Sequence, residues 1–279
     1  IGGLIKKAVI SDYISSNFVD RVFDAPNSYT AFENLMASYG YAIQIYCDFS
    51  GYSDIALGTS KLFGIDLLKN FNYPYFSRDI AEFWRRWHIS LSSWFRDYLY
   101  IPLGGSQGGM WMKVRNTFII FLVSGFWHGA NWTFIIWGLL NAIYFLPLLL
   151  QNKNRSNMGE IEMGWNLGSV KTILNILGTF ALTTIAWIFF RAKSISEAVG
   201  YIQKMVTDLH FKSEYLSNER YNFELVLLVL AFVVVEWFNR SKVEPLSGKA
   251  SWVKVTLAIM ALLALGVYSD YKEFIYFQF

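Results

Sequence analysis

The chain has 279 residues, of which 54% are hydrophobic and only 16% charged. A soluble domain carries roughly 25% charged residues, so the composition excludes an ordinary soluble protein and indicates a membrane protein. The formal charge of +3 is too small, and no basic stripe stands clear of the apolar segments, to support nucleic-acid binding. A single cysteine, Cys47, rules out an intrachain disulfide. No CxxC or His/Cys cluster suggests a metal site. Aromatic residues make up 19%, many of them the Trp and Tyr that favour a membrane–water interface.

The chain opens on "IGGLIKKAVISD", with neither an initiator Met nor a signal-peptide pattern. It reads as a piece of a longer protein cut within its interior, with N-terminal helices missing. Five apolar blocks follow. Phe32–Gly64 is long enough to cross ~30 Å of hydrocarbon but contains polar residues, including Asp48 and Asp54. Buried carboxylates in such a block point to a structural polar network, with Gly51 expected to kink the helix and Ser50 and Ser53 to pair with the acids.

Residues 61–115 carry eight basic residues against four acidic, a local charge of +4, and basic flanks favour the cytoplasmic side. Within them, Trp84, Trp87, Leu91, Trp94 and Tyr98 recur at steps of 3 and 4. This spacing predicts one amphipathic interfacial helix, ended by Pro102 and Gly104–Gly105. His88 falls on the flank of its aromatic stripe. Arg85, Arg86 and Arg96 can grip a phosphate of an acyl donor, or they form a solvated basic face.

The block Thr117–Leu150 would extend ~51 Å as one helix at ~1.5 Å per residue. It is therefore two short helices or one tilted helix with a break, with bends or close packing at Gly125, Gly129 and Gly138. Counted along a helix from Thr117, His128 lies ~16 Å in, about half the bilayer core, with Ser124, Asn131 and freed backbone groups as partners. A neutral imidazole in such a water-poor site can take a proton from an attacking hydroxyl. It can equally be a histidine hydrogen-bonded between helices.

The polar stretch Gln151–Ser169 reads as a loop. Three further blocks, Val170–Phe190, Phe223–Phe238 and Trp252–Ser269, each suit one membrane helix. Between the first two, Arg191–Asn222 carries a capping-box pattern at Ser194 and Glu197 followed by an amphipathic run. It reads as a surface helix, with His210 on its polar side.

Three ordered segments, "QIYCDFSGYSDIALG", "NFNYPYFSRDIAEFWRRWHISLSSWFRDYLYIPLGG" and "GFWHGANWTFIIWG", together resemble the membrane-bound O-acyltransferase superfamily, and within it the alginate O-acetyltransferase branch. The terminal "FIYFQF" also resembles that branch. The resemblance implies an all-α, polytopic transmembrane bundle with interfacial amphipathic helices, residues 1–279 forming one membrane domain that is the C-terminal portion of such a protein. It implies His128 as the essential catalytic histidine and His88 as the second motif histidine. Asn131, Trp127, Arg85 and Arg86 are then the candidate substrate-binding residues.

The activity so implied is transfer of an acetyl group from a cytoplasmic donor, acetyl-CoA, across the cell (inner) membrane. No cofactor is bound, and the acceptor is an extracytoplasmic esterase-like protein or a cell-surface polysaccharide such as alginate. Two other readings are open. One is D-alanyl transfer from a carrier protein to teichoic acid. The other is a non-enzymatic channel or transporter using mid-membrane His and Asp residues.

Overall fold

A computed structural model of the chain describes residues 1–159, 161, 167–207, 223–240, 251–268 and 273–274. Every regular element among them is helical. The chain divides into two compact units, one of Ile1–Leu68 and Gly200–Phe279, the other of Lys69–Val199. His210 and most of "FIYFQF" lie outside the described residues.

In the first unit, helix α1 runs without interruption over residues 2–24 and widens to π geometry at Ile5–Ser11 and Ser15–Val19. Within the first widened stretch, the Ala8 carbonyl accepts a hydrogen bond from the Val267 N–H at 3.0 Å. Helix α2, Ala31–Leu62, starts in a full capping box. The Thr30 hydroxyl accepts from the Glu33 N–H and the Glu33 carboxylate accepts from the Thr30 N–H, which answers two of the donors that a helix start leaves open.

Helix α2 is continuous through Gly51. The role of that glycine is close approach. A Cβ there would meet the Gly3 carbonyl oxygen at 2.8 Å, and a Cβ on Gly3 would meet the Gly51 carbonyl oxygen at 2.4 Å. The two helices therefore cross backbone to backbone. Asp48 and Asp54 do join a polar network, but their partners are lysines rather than Ser50 and Ser53. Lys7 pairs with Asp48 at 2.6 Å and Asp12 at 3.0 Å, and Lys6 with Asp54 at 3.0 Å and Glu236 at 3.5 Å. Glu236 comes from a later helix, Phe223–Asn239, and also accepts from the Tyr46 hydroxyl at 2.6 Å. Paired in this way, the charges can sit among apolar helices that could not hold them singly.

In the second unit, the segment expected to be one amphipathic helix is two. Helix α3 covers Ile80–Arg86 and helix α4 covers Ile89–Phe95, continued by a π stretch at Arg96–Tyr100. The break falls at His88, whose φ of 44° lies in the left-handed region. A nearby segment takes up the backbone groups it frees. The Arg86 carbonyl accepts from Asn72 N–H, and the Asn70 carbonyl and side-chain oxygen accept from Ile89 and Ser90 N–H.

The aromatic stripe is split accordingly. Trp87 is buried and Trp84 half-buried, whereas Trp94 and Tyr98 are 52% and 68% exposed. Gly104 and Gly105, at φ 94° and 54°, end the run as expected, since positive φ suits glycine.

The long apolar block resolves into a hairpin of α5, Gly109–Trp127, and α6, Trp132–Leu150. His128 therefore lies in the turn between two helices, not in mid-helix. A Cβ at Gly125 would meet the Phe134 carbonyl oxygen at 2.3 Å, and one at Gly138 would meet the Phe121 carbonyl oxygen at 2.2 Å. The two glycines make a second backbone-to-backbone crossing, as small residues do between membrane helices.

Helix α7, Leu167–Arg191, follows. Among the described residues, two segments, Trp132–Leu150 and Ser169–Arg191, are long and apolar enough to cross a membrane. At 19 residues the first measures ~28 Å at ~1.5 Å per residue, close to the ~30 Å of a hydrocarbon core. Helix α8, Ile195–Thr207, begins as predicted, with the Ser194 hydroxyl accepting from Glu197 N–H. The reciprocal bond goes to the N–H of Lys193, one residue earlier than a standard capping box. Phe223–Asn239 and Ser251–Leu265, in the first unit, are shorter apolar helices.

Candidate active site

The site lies wholly in the second unit and is built on two chain breaks. At the hairpin, α5 ends at His128, whose N–H donates to the Gly125 carbonyl at 3.1 Å. Gly129 then takes φ 152°, a backbone an L side chain avoids. Asn131 starts α6. Its side-chain oxygen accepts from Thr133 N–H at 3.1 Å, and its amide donates to the Lys193 carbonyl at 3.1 Å. The "HGAN" turn thus follows from glycine freedom and an asparagine N-cap, and it fixes where His128 emerges.

Four aromatic rings wall the His128 imidazole. Trp127, Phe190, Trp137 and Phe134 lie with centroids 4.9, 5.0, 5.2 and 6.3 Å from it, the first three nearly edge-on. Trp127 also lies 6.5 Å from the His88 ring, so one tryptophan contacts both histidines. His88 is 9% exposed, and burial pushes its pKa well below the ordinary histidine value, which leaves it neutral at pH 7. Its left-handed backbone is a sparsely populated conformation of the kind that collects at functional sites. Behind His128, Trp137 and Trp187 stack at 5.7 Å, and Trp187 meets Trp87 at 5.0 Å. A ring network therefore joins the two breaks.

Glu82 holds α3 in place. Fully buried, it accepts hydrogen bonds from the Arg78 guanidinium and N–H and from the Arg86 guanidinium at 2.7–3.1 Å. Burial alone would raise its pKa. The hydrogen bonds from Arg78 and the charges of Arg86 and Arg78 outweigh that and hold the carboxyl below its usual value.

The structure gives Arg85 and Arg86 definite protein partners. Arg86 also donates to the Asn72 carbonyl, while Arg85 donates to the Asn154 and Asn157 carbonyls. Trp127 is 49% exposed and Asn131 half-buried, so of the predicted residues Trp127 is the one that presents a large free surface beside His128.

The fold thus brings His88, His128 and Trp127 together, with Asn131 shaping the turn. Sequence reasoning missed Trp137, Trp187 and Phe190. The signal was present: Trp187 and Phe190 stand three apart in an apolar helix, which puts them on one face.

These features define a class: an all-helical protein of membrane composition, with one histidine at a glycine-locked hairpin turn and a second at a helix break, joined by aromatic rings. The family model described as MBOAT, membrane-bound O-acyltransferase family, matches residues 8–189, and the chain belongs to that family.

Among curated relatives, the chain is 36% identical to a peptidoglycan O-acetyltransferase of Helicobacter pylori, over 99% of this chain and 55% of the relative. It is 36% identical to the probable alginate O-acetylase AlgI of Pseudomonas aeruginosa, over 89% and 46%. It is also 36% identical to a teichoic acid D-alanyltransferase of Bacillus subtilis, over 68% and 49%. The chain spans about half the length of the relatives it matches.

Proposed function

We propose that the chain forms the histidine-bearing part of a multi-pass inner-membrane O-acetyltransferase that acts on a cell-surface polysaccharide. The observation that carries this reading is the placing of His128, at a rigid hairpin turn, walled by aromatic rings and sharing Trp127 with His88. A neutral imidazole held in low dielectric is suited to take the proton of an acceptor hydroxyl as its oxygen attacks an acyl thioester. The acetyl donor is acetyl-CoA, reaching the site from the cytoplasmic side. The acceptor is the polysaccharide or an extracytoplasmic esterase-like carrier protein. His128 acts as general base, and neutral His88 lines the donor side. Support comes from family membership and from relatives named as acetylating peptidoglycan and alginate.

The test is His128→Ala in the full-length parent, with polymer acetyl content measured at matched membrane abundance. Loss of acetylation is expected, and undiminished acetylation removes His128 from catalysis. The similarity to a teichoic acid D-alanyltransferase favours one second reading, D-alanyl transfer from a carrier protein, which uses the same acyl chemistry. Parallel assays with radiolabelled acetyl-CoA and with a D-alanyl-carrier separate the two.

A further inference from the structure

Two buried polar groups near His128 lack the partner that their surroundings would normally supply. The first is the Trp187 indole N–H. Trp187 is 2% exposed, and Nε1 has no hydrogen-bond acceptor among the described residues. The other tryptophan flanking Trp137 shows what the fold supplies elsewhere. Trp84 Nε1 donates to the Asn141 side-chain oxygen at 3.2 Å, and Asn141 is anchored to the Trp137 carbonyl at 2.8 Å. Trp84 is less buried than Trp187 and is still satisfied. A buried indole N–H without an acceptor is costly, and such groups in native proteins call for an explanation.

The second group is the Thr133 hydroxyl. Thr133 is fully buried and Oγ1 has no partner among the described residues. Threonines deeper in helices donate to the carbonyl four residues back, as Thr117, Thr179 and Thr184 do here at 2.8–2.9 Å. Thr133 is the second residue of α6, and the residue four back, Gly129, lies in the turn, so the helix offers no such carbonyl. Thr133 and Trp137 are one turn apart and both buried, hence on one face of α6. Trp187 stacks on Trp137, and both Trp137 and Phe190 contact the His128 and Trp187 rings at 5.0–5.7 Å. Trp187 therefore borders the aromatic box that holds His128, and Thr133 lies one helical turn from the Trp137 wall of that box.

We propose that the Trp187 N–H and the Thr133 hydroxyl form the subsite for the carbonyl oxygen of the donor's acyl thioester. This rests on the acyl-transfer reading above. The acceptor oxygen bonds to the thioester carbon while its proton passes to His128. The carbonyl π pair moves onto oxygen, where the two donors receive the developing negative charge. Collapse re-forms the carbonyl and breaks the carbon–sulfur bond, and the proton on His128 passes to the departing thiolate. Two hydrogen bonds near 2.9 Å, an attack distance of about 3 Å and the carbonyl bond give a contour of ~10 Å from imidazole to indole. Both rings contact Phe190, at 5.0 and 5.2 Å, so their centroids are no farther apart than such a contour can span. An N–H paired with a hydroxyl is also a donor set of the kind that stabilises an oxyanion in a dry site.

The experiment uses the full-length protein in proteoliposomes, with radiolabelled acetyl-CoA. Two competitive inhibitors are compared: the dethia-carba analogue, a ketone that keeps the carbonyl, and ethyl-CoA, which replaces it by CH₂. The wild type is expected to bind the ketone about tenfold more tightly, the loss of one hydrogen bond to a buried donor. Trp187→Phe and Thr133→Val are expected to remove that preference and to lower kcat on the order of 10²-fold, while Thr133→Ser restores both. If Trp187→Phe does not accumulate, the Thr133→Val and Thr133→Ser pair decides. Wild-type kcat and an intact ketone preference in the folded variants overturn the subsite and mean that the two groups hold an internal water only. A wild-type protein that neither transfers acetyl nor binds either inhibitor overturns acetyl-CoA as the donor, and with it the acetyl-transfer reading.

Discussion

Replacing Gly125 by Ala tests whether the backbone crossing of α5 and α6 sets the position of the imidazole proposed as general base. The added Cβ would lie 2.3 Å from the Phe134 carbonyl oxygen, whereas real Cβ contacts are essentially never under 3.0 Å. The helices must therefore part by about 0.7 Å before any contact is tolerable, and by about 1 Å for an ordinary one. The atom in the way is backbone, so no side-chain rotation relieves it. His128 is three residues on, and its N–H bonds to the Gly125 carbonyl, so the turn moves with the helix end. A misplacement near 1 Å costs on the order of 10²-fold in rate where the chemistry depends on alignment, while overpacking costs ~1–3 kcal/mol in stability.

The assay is acetyl transfer per mole of protein in the full-length parent at matched membrane abundance. Gly178→Ala is the control. It makes the same change in helix α7, where a Cβ meets nothing within 4 Å, and it should leave activity unchanged. Gly125→Ala activity within threefold of Gly178→Ala would refute the reasoning.

Glu82→Gln leaves Arg78 and Arg86 without their shared counter-charge. It is expected to destabilise the protein by about 3 kcal/mol, read as a lowered melting temperature in detergent, and an unchanged melt contradicts the structural role. Arg85→Ala should expose residues 151–159 to limited proteolysis with the KM for the acyl donor unchanged, because Arg85 secures that loop through the Asn154 and Asn157 carbonyls. A raised KM with unchanged proteolysis would instead make Arg85 a donor-phosphate ligand. His88, with its pKa lowered by burial, should stay neutral as pH falls through the ordinary value near ~6.5, so its NMR titration midpoint lies well below that. Its contribution to stability is full above the unfolded value and is lost as pH falls through the lowered folded one. A midpoint at or above ~6.5 contradicts the burial.

Much of the fold was legible because apolar periodicity is local. The cap at Ser194, the stop at Gly104–Gly105 and the membrane helix in Val170–Phe190 each depend on neighbours in sequence. The errors arose where distant segments override local pattern. The 3–4 spacing from Trp84 to Tyr98 predicts one helix, yet Asn70 and Asn72 take up the backbone groups on either side of His88 and stabilise a break. Nothing in residues 80–100 announces partners at Asn70 and Asn72. The close approach of Gly3 to Gly51 was illegible for the same reason, since it depends on another helix. The histidines of the candidate site were legible as costly groups in apolar surroundings. Trp187 was not, because a tryptophan in a membrane helix reads as core until its N–H is seen to lack an acceptor.

The stretch "FWHGANW" can now be divided by what each residue does. Gly129 supplies a φ of 152°, Asn131 caps α6 and ties the turn to Lys193, and Gly125, just upstream, allows the helices to touch. None of these contributes a reacting group, yet together they fix the backbone of His128 from both sides and from the partner helix. The proposed chemistry is left to His128 and to the groups around it. A turn held this tightly limits the motion of the imidazole, and preorganisation of that kind is what a general base needs to act on a hydroxyl without reorganising during the reaction. Turn residues at such a site therefore act on rate through the position of His128. Substituting them should lower kcat with little change in donor affinity, whereas changes at a group that touches the donor move both.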